Sequence, residues 1–230
     1  MKACNGYISS IYHGSAVDGK GLRSVVFFSG CNMRCPFCHN PETLYEKGTE
    51  RSIDNVLAEI SRYKSYYKKK GGVTLSGGEP FLQVEFCREL TRLLHESGIN
   101  VIVETNGLIT DKELLSFVDG IRLDVKNYDK DDAGKLLKRY SPFISACKEL
   151  NVPLSYTNVL IPTKNNDEKT IGELREFLKA VDAQKFEFLA FKKICVTKYK
   201  SLGVDFLYEN VPSATTDDVK LAYEILKKED

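Results

Sequence analysis

Residues 25–38 read VVFFSGCNMRCPFC, a run of β-branched and aromatic residues followed by three closely spaced cysteines. The run at 25–28 predicts a short buried strand that ends at Ser29 and Gly30. The loop after it contains Cys31, Cys35 and Cys38. The same arrangement, a short apolar strand that ends at unusual polar residues, recurs along the chain and indicates the fold.

Strand-like and helix-like segments alternate from about residue 22 onward. The predicted strands are 25–28, 73–75, 101–103, 120–124, 154–161 and 186–191. The predicted helices are 52–70 with Ser52 as N-cap, 86–98, 110–117, a helix through 140–150, 171–181 and 217–228 with Thr216 as N-cap. Such units predict a parallel sheet with helices outside it, in α/β class. Periodicity alone leaves open a doubly wound sheet or an incomplete barrel.

Each unusual motif follows one of these strands. The cysteines follow the first strand, residues 77–79 (GGE) the second and residues 105–106 (TN) the third, while Asp124 and Lys126 stand at the end of the fourth. In either architecture the active site forms at the carboxyl ends of the parallel strands. We therefore expect these motifs to converge on one site.

The composition excludes several classes of protein. Hydrophobic residues make up 42% and charged residues 28%, with a formal net charge of +1, which argues against a nucleic-acid partner bound through bulk positive charge. The N-terminus lacks the apolar core of a secretory signal, and no apolar run approaches a membrane span. We expect a cytoplasmic protein with no membrane partner. The seven cysteines are an odd number, which disfavours a disulfide framework.

The cysteine spacing is C-x₃-C-x₂-C. Three thiolates can bind three irons of a [4Fe–4S] cubane and leave the fourth iron open to another ligand. A zinc ion bound by the three cysteines and His39 is a second interpretation. Residues 35–39 also match the haem c pattern C-x-x-C-H, and residues 35–38 match a thioredoxin-like pair. The spacing favours the cluster, because the last two patterns leave Cys31 unexplained.

The motif resembles that of the radical S-adenosylmethionine (SAM) superfamily. Residues 15–23 (SAVDGKGLR) and 27–31 (FFSGC) resemble more narrowly the glycyl-radical-enzyme activating proteins, especially those of the pyruvate formate-lyase type. The segments 38–42 (CHNPE), 72–80 (GVTLSGGEP), 105–107 (TNG) and 123–126 (LDVK) fit the same family. The likeness extends from about residue 6 to 126, and more loosely to the end.

The resemblance implies one radical SAM domain over residues 1–230. Its core would be a partial (β/α)₆ TIM-type barrel of parallel strands at 25–191, with a segment at 1–24 that faces the partner or substrate and a C-terminal segment and helix at 192–230. The implied reaction is reductive cleavage of SAM to methionine and a 5′-deoxyadenosyl radical, which takes a hydrogen atom from a glycine of a partner glycyl radical enzyme. One [4Fe–4S] cluster, a flavodoxin or ferredoxin as electron donor and a monomeric state are expected.

The resemblance also implies roles for individual residues. Cys31, Cys35 and Cys38 would hold the cluster and are the catalytic residues. SAM would be bound by Phe37, Cys38, His39, Gly77, Gly78, Glu79, Thr105, Asn106, Asp124, Val125 and Lys126. Glu104, Thr105 and Asp124 would form a site for a monovalent cation. Asp18 and Arg23 would contact the glycine loop of the partner.

Some of these residues also fit structural roles when taken alone. Phe37 could be a core residue, Glu79 could cap the next helix, and Asp124 and Lys126 could form a surface ion pair.

Three positions depart from the family pattern. Lys192 stands where a histidine is usual and is expected to take its cofactor contact, Thr157 stands where an arginine is usual, and Glu104 replaces an aspartate. These departures leave room for a radical SAM enzyme that modifies a peptide or a small molecule. A non-catalytic zinc-binding module is the alternative from another class.

Overall fold

The computed structural model describes residues 4–228, so the first three residues of the predicted N-terminal segment and the last two of the C-terminal segment lie outside the described residues. Eight strands form one sheet within that range. They are β1 (Asn5–Ser15), β2 (Arg23–Phe28), β3 (Thr49–Ser52), β4 (Gly72–Gly77), β5 (Asn100–Thr105), β6 (Gly120–Asp124), β7 (Leu154–Leu160) and β8 (Phe186–Ala190).

The strand order is β3-β1-β2-β4-β5-β6-β7-β8. The strands β2, β4, β5, β6, β7 and β8 are each parallel to their neighbours in this set, which confirms the six predicted parallel strands. The edge strands β3 and β8 do not pair with each other in the described part of the chain, so the barrel stays open. The prediction of a partial barrel is confirmed.

Helices connect the parallel strands and cover the outer face of the sheet. They are α1 (Glu42–Tyr45), α2 (Ile53–Ser61), α3 (Lys64–Tyr67), a 3₁₀ helix (Pro80–Gln83), α4 (Val84–Glu96), α5 (Lys112–Leu115), α6 (Ala133–Glu149), α7 (Glu168–Ala180), α8 (Val196–Leu202) and α9 (Thr216–Lys227). Each long helix turns one apolar stripe toward the sheet; α4, for example, buries Phe86, Leu90 and Leu94. The helices thereby hold the carboxyl ends of the strands at one edge.

The N-terminal segment contains a structure that the sequence did not reveal. β1 pairs antiparallel with both β2 and β3, so the sheet gains two strands beyond the predicted six. β3 has the sequence TERS and is half-exposed, which explains why its local pattern gives no strand signal. Its partners Ile8 and Tyr7 lie more than forty residues away.

Most helix boundaries lie a few residues away from those predicted. The predicted helix 52–70 is split into α2, which ends at Ser61, and α3, which ends at Tyr67 just before Lys68 with its positive φ of 51°. Ser52 does cap α2, its hydroxyl accepting from the Asn55 N–H at 3.3 Å. α9 is capped by Thr215 in place of Thr216, through a capping box with Asp218. The helix α8 was not predicted.

Two apolar clusters hold the fold together. The larger lies between the sheet and the outer helices and includes Val101, Leu123 and Phe177. The smaller cluster joins Phe37 of the cysteine loop to Phe191, just after β8, and to residues of the C-terminal segment such as Tyr199 and Phe206. The C-terminal segment thus packs against the cysteine loop. None of the helices within residues 4–228 is both long enough and apolar enough to cross a bilayer.

Candidate active site

A cavity of about 450 Å³ lies where the parallel strands end. Its lining includes Asp18, Cys31, Cys35, Phe37, Cys38, His39, Gly77, Gly78, Glu79, Glu104, Thr105, Asn106, Asp124 and Lys126. The structure therefore brings together most of the residues that the sequence predicted. Arg23, Val125 and Lys192 are the predicted site residues that do not line the cavity.

The three cysteines are half-buried free thiols. Burial raises the pKa of all three, that of Cys38 to about 11, so a bound metal must displace their protons. Among residues 4–228, no three His, Cys, Asp or Glu side chains are grouped closely enough to hold one metal ion. A lone zinc ion needs its sulfurs at roughly 2.3 Å, whereas a cubane takes each thiolate on a different iron. The three cysteines lie on one loop and line one cavity, so each can supply its thiolate to a different iron of a cubane.

Backbone contacts on both sides fix the cysteine loop. The Gly30 N–H donates to the Thr43 carbonyl at 2.7 Å, and the Gly30 carbonyl accepts from the Glu79 N–H at 2.8 Å. Arg34 folds back to donate to the Cys31 carbonyl at 2.7 Å. The first cysteine is therefore held by α1, by the loop after β4 and by Arg34 of its own loop.

Glu79 connects the loops after β4 and β5. Its Oε1 accepts from the Thr105 hydroxyl at 2.7 Å and the Phe81 N–H at 3.1 Å, and its Oε2 accepts from the Asn106 N–H at 2.8 Å. The side chain is almost fully buried, and burial raises the pKa of Glu79 to about 7 against these hydrogen bonds. Glu79 thus caps the 3₁₀ helix, as the structural interpretation proposed, and also orders the loop at Thr105.

Gly77 and Gly78 are required by the contact between β2 and β4. Gly77 has a φ of 102°, and a Cβ on Gly78 would collide with the Gly30 carbonyl oxygen. Both glycines also line the cavity. Their predicted approach to the methionine part of SAM stays a prediction, and close packing of the chain already accounts for the residue type.

Asp124 and Lys126 form an ion pair inside the cavity, not at the protein surface. Burial opposes the charge of Lys126, but attraction by Asp124 and Cys35 outweighs it and raises the pKa of Lys126. The Lys126 Nζ lies 5.3 Å from the centre of the Phe37 ring. The other carboxylate oxygen of Asp124, Oδ1, is buried and has no hydrogen-bond partner among the described residues. Such an acceptor is expected where a ligand hydroxyl binds.

Two of the three residues predicted to bind a cation, Glu104 and Thr105, already use their oxygens in hydrogen bonds. Glu104 accepts from Arg122 Nη1 and from the Ser76 hydroxyl, each at 2.7 Å. Burial raises the pKa of Glu104, although Arg122 and Ser76 both favour the carboxylate. The Thr105 hydroxyl donates to Glu79. Arg122 therefore supplies the positive charge beside Glu104, and the monovalent cation stays a prediction.

Phe37 and His39 form the apolar side of the cavity. Phe37 is buried with its ring edge-on to Tyr128 at 5.1 Å, so it is both a core residue and part of the lining. His39 Nε2 is 2.7 Å from the Lys192 carbonyl, which can only accept, and burial lowers the pKa of His39. The neutral ring therefore carries its proton on Nε2 and keeps Nδ1 as an acceptor.

Arg23 does not fit its predicted contact with a partner. Its side chain is fully buried, where it donates to the Thr74 hydroxyl at 2.7 Å and to Asn100 Oδ1 at 3.0 Å. The Thr74 hydroxyl in turn donates to the Asp18 carbonyl at 2.6 Å. Arg23 thus supports the loop that contains Asp18. Asp18 itself lines the cavity beside the exposed Val17.

The structure also corrects the placement of Lys192 and Val125. The Lys192 ammonium donates to the Ala214 carbonyl at 2.7 Å, which turns it toward the C-terminal segment and outside the lining of the cavity. Val125 is buried, and its carbonyl accepts from Asn158 Nδ2 at 2.7 Å. Its backbone therefore positions the neighbouring Lys126.

Several lining residues were not identified from the sequence. They are Val17, Met33, Asn40, Thr43, Leu44, Ser76, Arg122, Val159, Glu187 and Leu189. Arg122 and Asp124 alternate with the buried Ile121 and Leu123 on β6. This two-residue period in a strand that should be apolar on both faces was the available signal. Thr157, noted as a departure from the family, also lines the cavity.

A comparison with known families agrees with this geometry. The model of the radical SAM superfamily matches residues 25–177. The match covers the cysteine loop, most of the parallel strand β2, the parallel strands β4 to β7 and most of the helices between them. The chain therefore belongs to the radical SAM superfamily and is an enzyme of that class, which implies a [4Fe–4S] cluster and SAM.

The more specific likeness is to pyruvate formate-lyase-activating enzymes. The protein of that name from Staphylococcus epidermidis (strain ATCC 12228) is 34% identical over 235 residues, covering 95% of this chain and 94% of the relative. The one from Staphylococcus aureus (strain COL) has the same identity and coverage. This degree of identity over nearly the whole chain confirms the resemblance to the activating-enzyme family.

Solved structures show the same fold. Streptococcus suis SuiB bound to the precursor peptide SuiA superposes with a TM-score of 0.60 at 18% identity, over 77% of this chain and 40% of that one. A radical SAM methyltransferase from Sphaerobacter thermophilus gives 0.58 at 17% identity, over 89% and 63%. At these identities the likeness concerns the fold alone.

Proposed function

We propose that this enzyme activates a glycyl radical enzyme by taking a hydrogen atom from one of its glycines. The observation that carries the proposal is the placement of the three cysteines, Asp124 and Asp18 around one cavity. The 34% identity over 95% of the chain to pyruvate formate-lyase-activating enzymes favours this class of partner.

The cysteine loop would hold the cluster. Cys31, Cys35 and Cys38 would each bind one iron, and their half-buried positions would limit solvent access to it. When bound, the cluster supplies the electron that breaks a sulfonium C–S bond of SAM, giving methionine and the 5′-deoxyadenosyl radical. Glu79 and Arg34 keep the loop in place through the contacts described above.

Three other parts of the lining would bind SAM. Phe37 offers a ring face to the adenine, and the Nδ1 acceptor of His39 can receive its amino group. The unpartnered Oδ1 of Asp124 would accept from a ribose hydroxyl. Lys126, beside Asp124, would balance the charge of the SAM carboxylate.

The loop between β1 and β2 would receive the substrate. Asp18 lines the cavity, and Arg23 and Thr74 hold its backbone. A glycine at this position would lose a hydrogen atom from Cα, and the 5′-deoxyadenosyl radical would gain it to become 5′-deoxyadenosine. A flavodoxin or ferredoxin would donate the electron, and the enzyme would act as a cytoplasmic monomer.

The proposal is tested with anaerobically reconstituted protein. We expect iron and sulfide in cluster amounts, a reduced-cluster electron paramagnetic resonance (EPR) signal that changes on addition of SAM, and formation of 5′-deoxyadenosine. Cys31→Ala should lose all three, whereas Cys4→Ser, a half-buried thiol outside the cavity, should keep them. One zinc without iron or sulfide would instead support the zinc-binding module.

The partner class needs a separate measurement. A glycyl radical enzyme from the same genome, mixed with the reduced enzyme and SAM, should develop a glycyl radical EPR signal, and a glycine-to-alanine change in its radical loop should abolish that signal. Cleavage of SAM without any such radical, together with modification of a short precursor peptide, would favour the peptide-modifying alternative.

A further inference from the structure

Two N–H groups lie against the sulfur of Cys31. The Met33 backbone N–H donates to Sγ at 3.4 Å, and the side-chain Nδ2 of Asn106 lies 4.0 Å from it. Met33 belongs to the same loop, whereas Asn106 reaches the sulfur from the end of β5, 75 residues along the chain. The second contact therefore depends on the tertiary structure and is absent from an isolated cysteine loop.

The side-chain amide of Asn106 has one possible orientation. Its Oδ1 accepts from the Leu108 N–H at 3.1 Å, and its Nδ2 donates to Asn32 Oδ1 at 2.7 Å. Rotating the amide by 180° would place two acceptors together at Asn32 and two donors together at Leu108. The nitrogen, with its second N–H, must therefore face Cys31.

The backbone of Asn106 is fixed as well. Glu79 Oε2 accepts its N–H at 2.8 Å, and the Glu79 N–H donates to the Gly30 carbonyl at 2.8 Å. Glu79 thus connects the carbonyl just before Cys31 to the backbone N–H of Asn106. Asn106 is also buried, so its N–H group meets little competition from water.

We propose that Asn106 is a positioning residue for the cluster, which holds Cys31 and donates a hydrogen bond to its thiolate, and is not a direct SAM contact. The inference rests on the proposed cluster. A thiolate attracts an N–H donor more strongly than the neutral thiol does. Hydrogen bonds to the sulfurs of an iron–sulfur cluster change its reduction potential. An N–H donor stabilises the more negative reduced state, so Asn106 makes the cluster easier to reduce.

Two variants of Asn106 separate the hydrogen bond from the fold. Asn106→Ser keeps an oxygen that can accept the Leu108 N–H in a Ser turn but is too short to reach Cys31. Asn106→Asp keeps the length and the Leu108 contact but turns an anionic oxygen toward the sulfur. Asn32→Asp is the matched control, since it adds the same charge next to Cys31 on an exposed side chain and keeps the Asn106 N–H.

The measurement is an EPR-monitored redox titration of the reconstituted holoenzymes, with iron and sulfide analysis. We expect the midpoint potential to fall in Asn106→Ser, to fall further in Asn106→Asp, and to change least in Asn32→Asp. Equal potentials in the wild type and both Asn106 variants would overturn the proposal, as would an equal shift in Asn32→Asp.

The metal content and the unfolding temperature cover the remaining outcomes. Loss of iron from both Asn106 variants, with apoproteins that unfold at the wild-type temperature, would support the positioning role. Loss of iron together with a lowered unfolding temperature would overturn it in favour of a purely structural role. A wild type without iron and sulfide would overturn the proposed cluster first, which distinguishes that failure from an error about Asn106.

Discussion

At the scale of single residues, Asp124 combines two different carboxylate oxygens. One is paired with Lys126, and the other, Oδ1, is buried without a partner among the described residues. An unpaired buried acceptor costs roughly 1–3 kcal/mol. A ligand that supplies a donor would recover this free energy on binding.

Asp124→Asn should therefore weaken the binding of SAM. The amide keeps the shape but removes the charge beside Lys126, so we expect the Kd for SAM to rise about 10- to 100-fold, since a hydrogen bond to a charged group contributes about 1.5–3 kcal/mol. Equilibrium dialysis with the reconstituted enzyme measures this change. Asp129→Asn, an exposed carboxylate outside the cavity, should bind SAM as the wild type does. An unchanged Kd in Asp124→Asn would contradict the assignment.

Glu79 should make the stability of the apoprotein depend on pH. Burial raises its pKa from 4.5 to about 7 in the folded protein, so between these values the folded state binds more protons than the unfolded state. The contribution to stability is present in full below pH 4.5 and is lost as the pH rises through about 7.

We expect the free energy of unfolding of the wild type, relative to Glu79→Gln, to fall by roughly 3 kcal/mol between pH 5 and 8. Urea denaturation at several pH values measures the difference, and the lost hydrogen bonds of the glutamine variant add only an offset that does not change with pH. Parallel pH profiles for the two proteins would show that Glu79 is not protonated in the folded state.

The residues that could be predicted from the sequence are those with a distinctive spacing or motif. Cys31, Cys35 and Cys38 stand out by spacing alone. The family resemblance predicts that Arg23 contacts the partner, but β2 begins at this residue and buries its side chain. The alternation of Arg122 with buried neighbours on β6 signals a polar face, but it does not show which residues the side chain will contact.

At the scale of elements, the close contact between the loops after β2 and β4 determines where the first cysteine lies. Gly78→Ala should break this contact, since its Cβ would collide with the Gly30 carbonyl oxygen. We expect the loss of most of the bound iron and a destabilisation of about 3 kcal/mol or more, in the range of severe overpacking.

Gly172→Ala is the matched control for this change. Gly172 lies within α7 and has open space where a Cβ would be, so the substitution should stabilise the protein by about 0.5–1 kcal/mol and leave the iron content unchanged. Thermal unfolding and iron analysis of the two variants test the pair. Full iron in Gly78→Ala would show that the loops can separate without losing the cluster.

The parallel strands could be predicted from the sequence, and the antiparallel ones could not. The centres of β4 and β5 are rich in β-branched and apolar residues that are mostly buried in the sheet, so composition reveals them. β3 is polar and becomes a strand only through pairing with β1. Its conformation is a consequence of the tertiary structure and leaves no local pattern.

At the scale of the whole molecule, we expect the fold to be stable without metal, whereas the function of the cysteine loop requires it. The larger apolar cluster lies between sheet and helices and includes none of the three cysteines. Removal of the iron–sulfur cluster with a chelator should therefore leave the far-UV circular dichroism spectrum unchanged and lower the unfolding temperature by only a few degrees. SAM cleavage should be lost. A collapse of the circular dichroism signal on chelation would mean that the metal is part of the folding core.

The cavity has a further consequence for the enzyme. One chamber of about 450 Å³ is lined by the cysteines, most of the predicted SAM contacts and Asp18, and sites for small molecules alone commonly occupy roughly 300–1,000 Å³. With SAM inside, a peptide that reaches the reacting atoms would have to be slender, and glycine is the residue that leaves most room. For the proposed partner, the same confinement would set an order of addition in which SAM enters first and the glycine loop closes the entrance behind it.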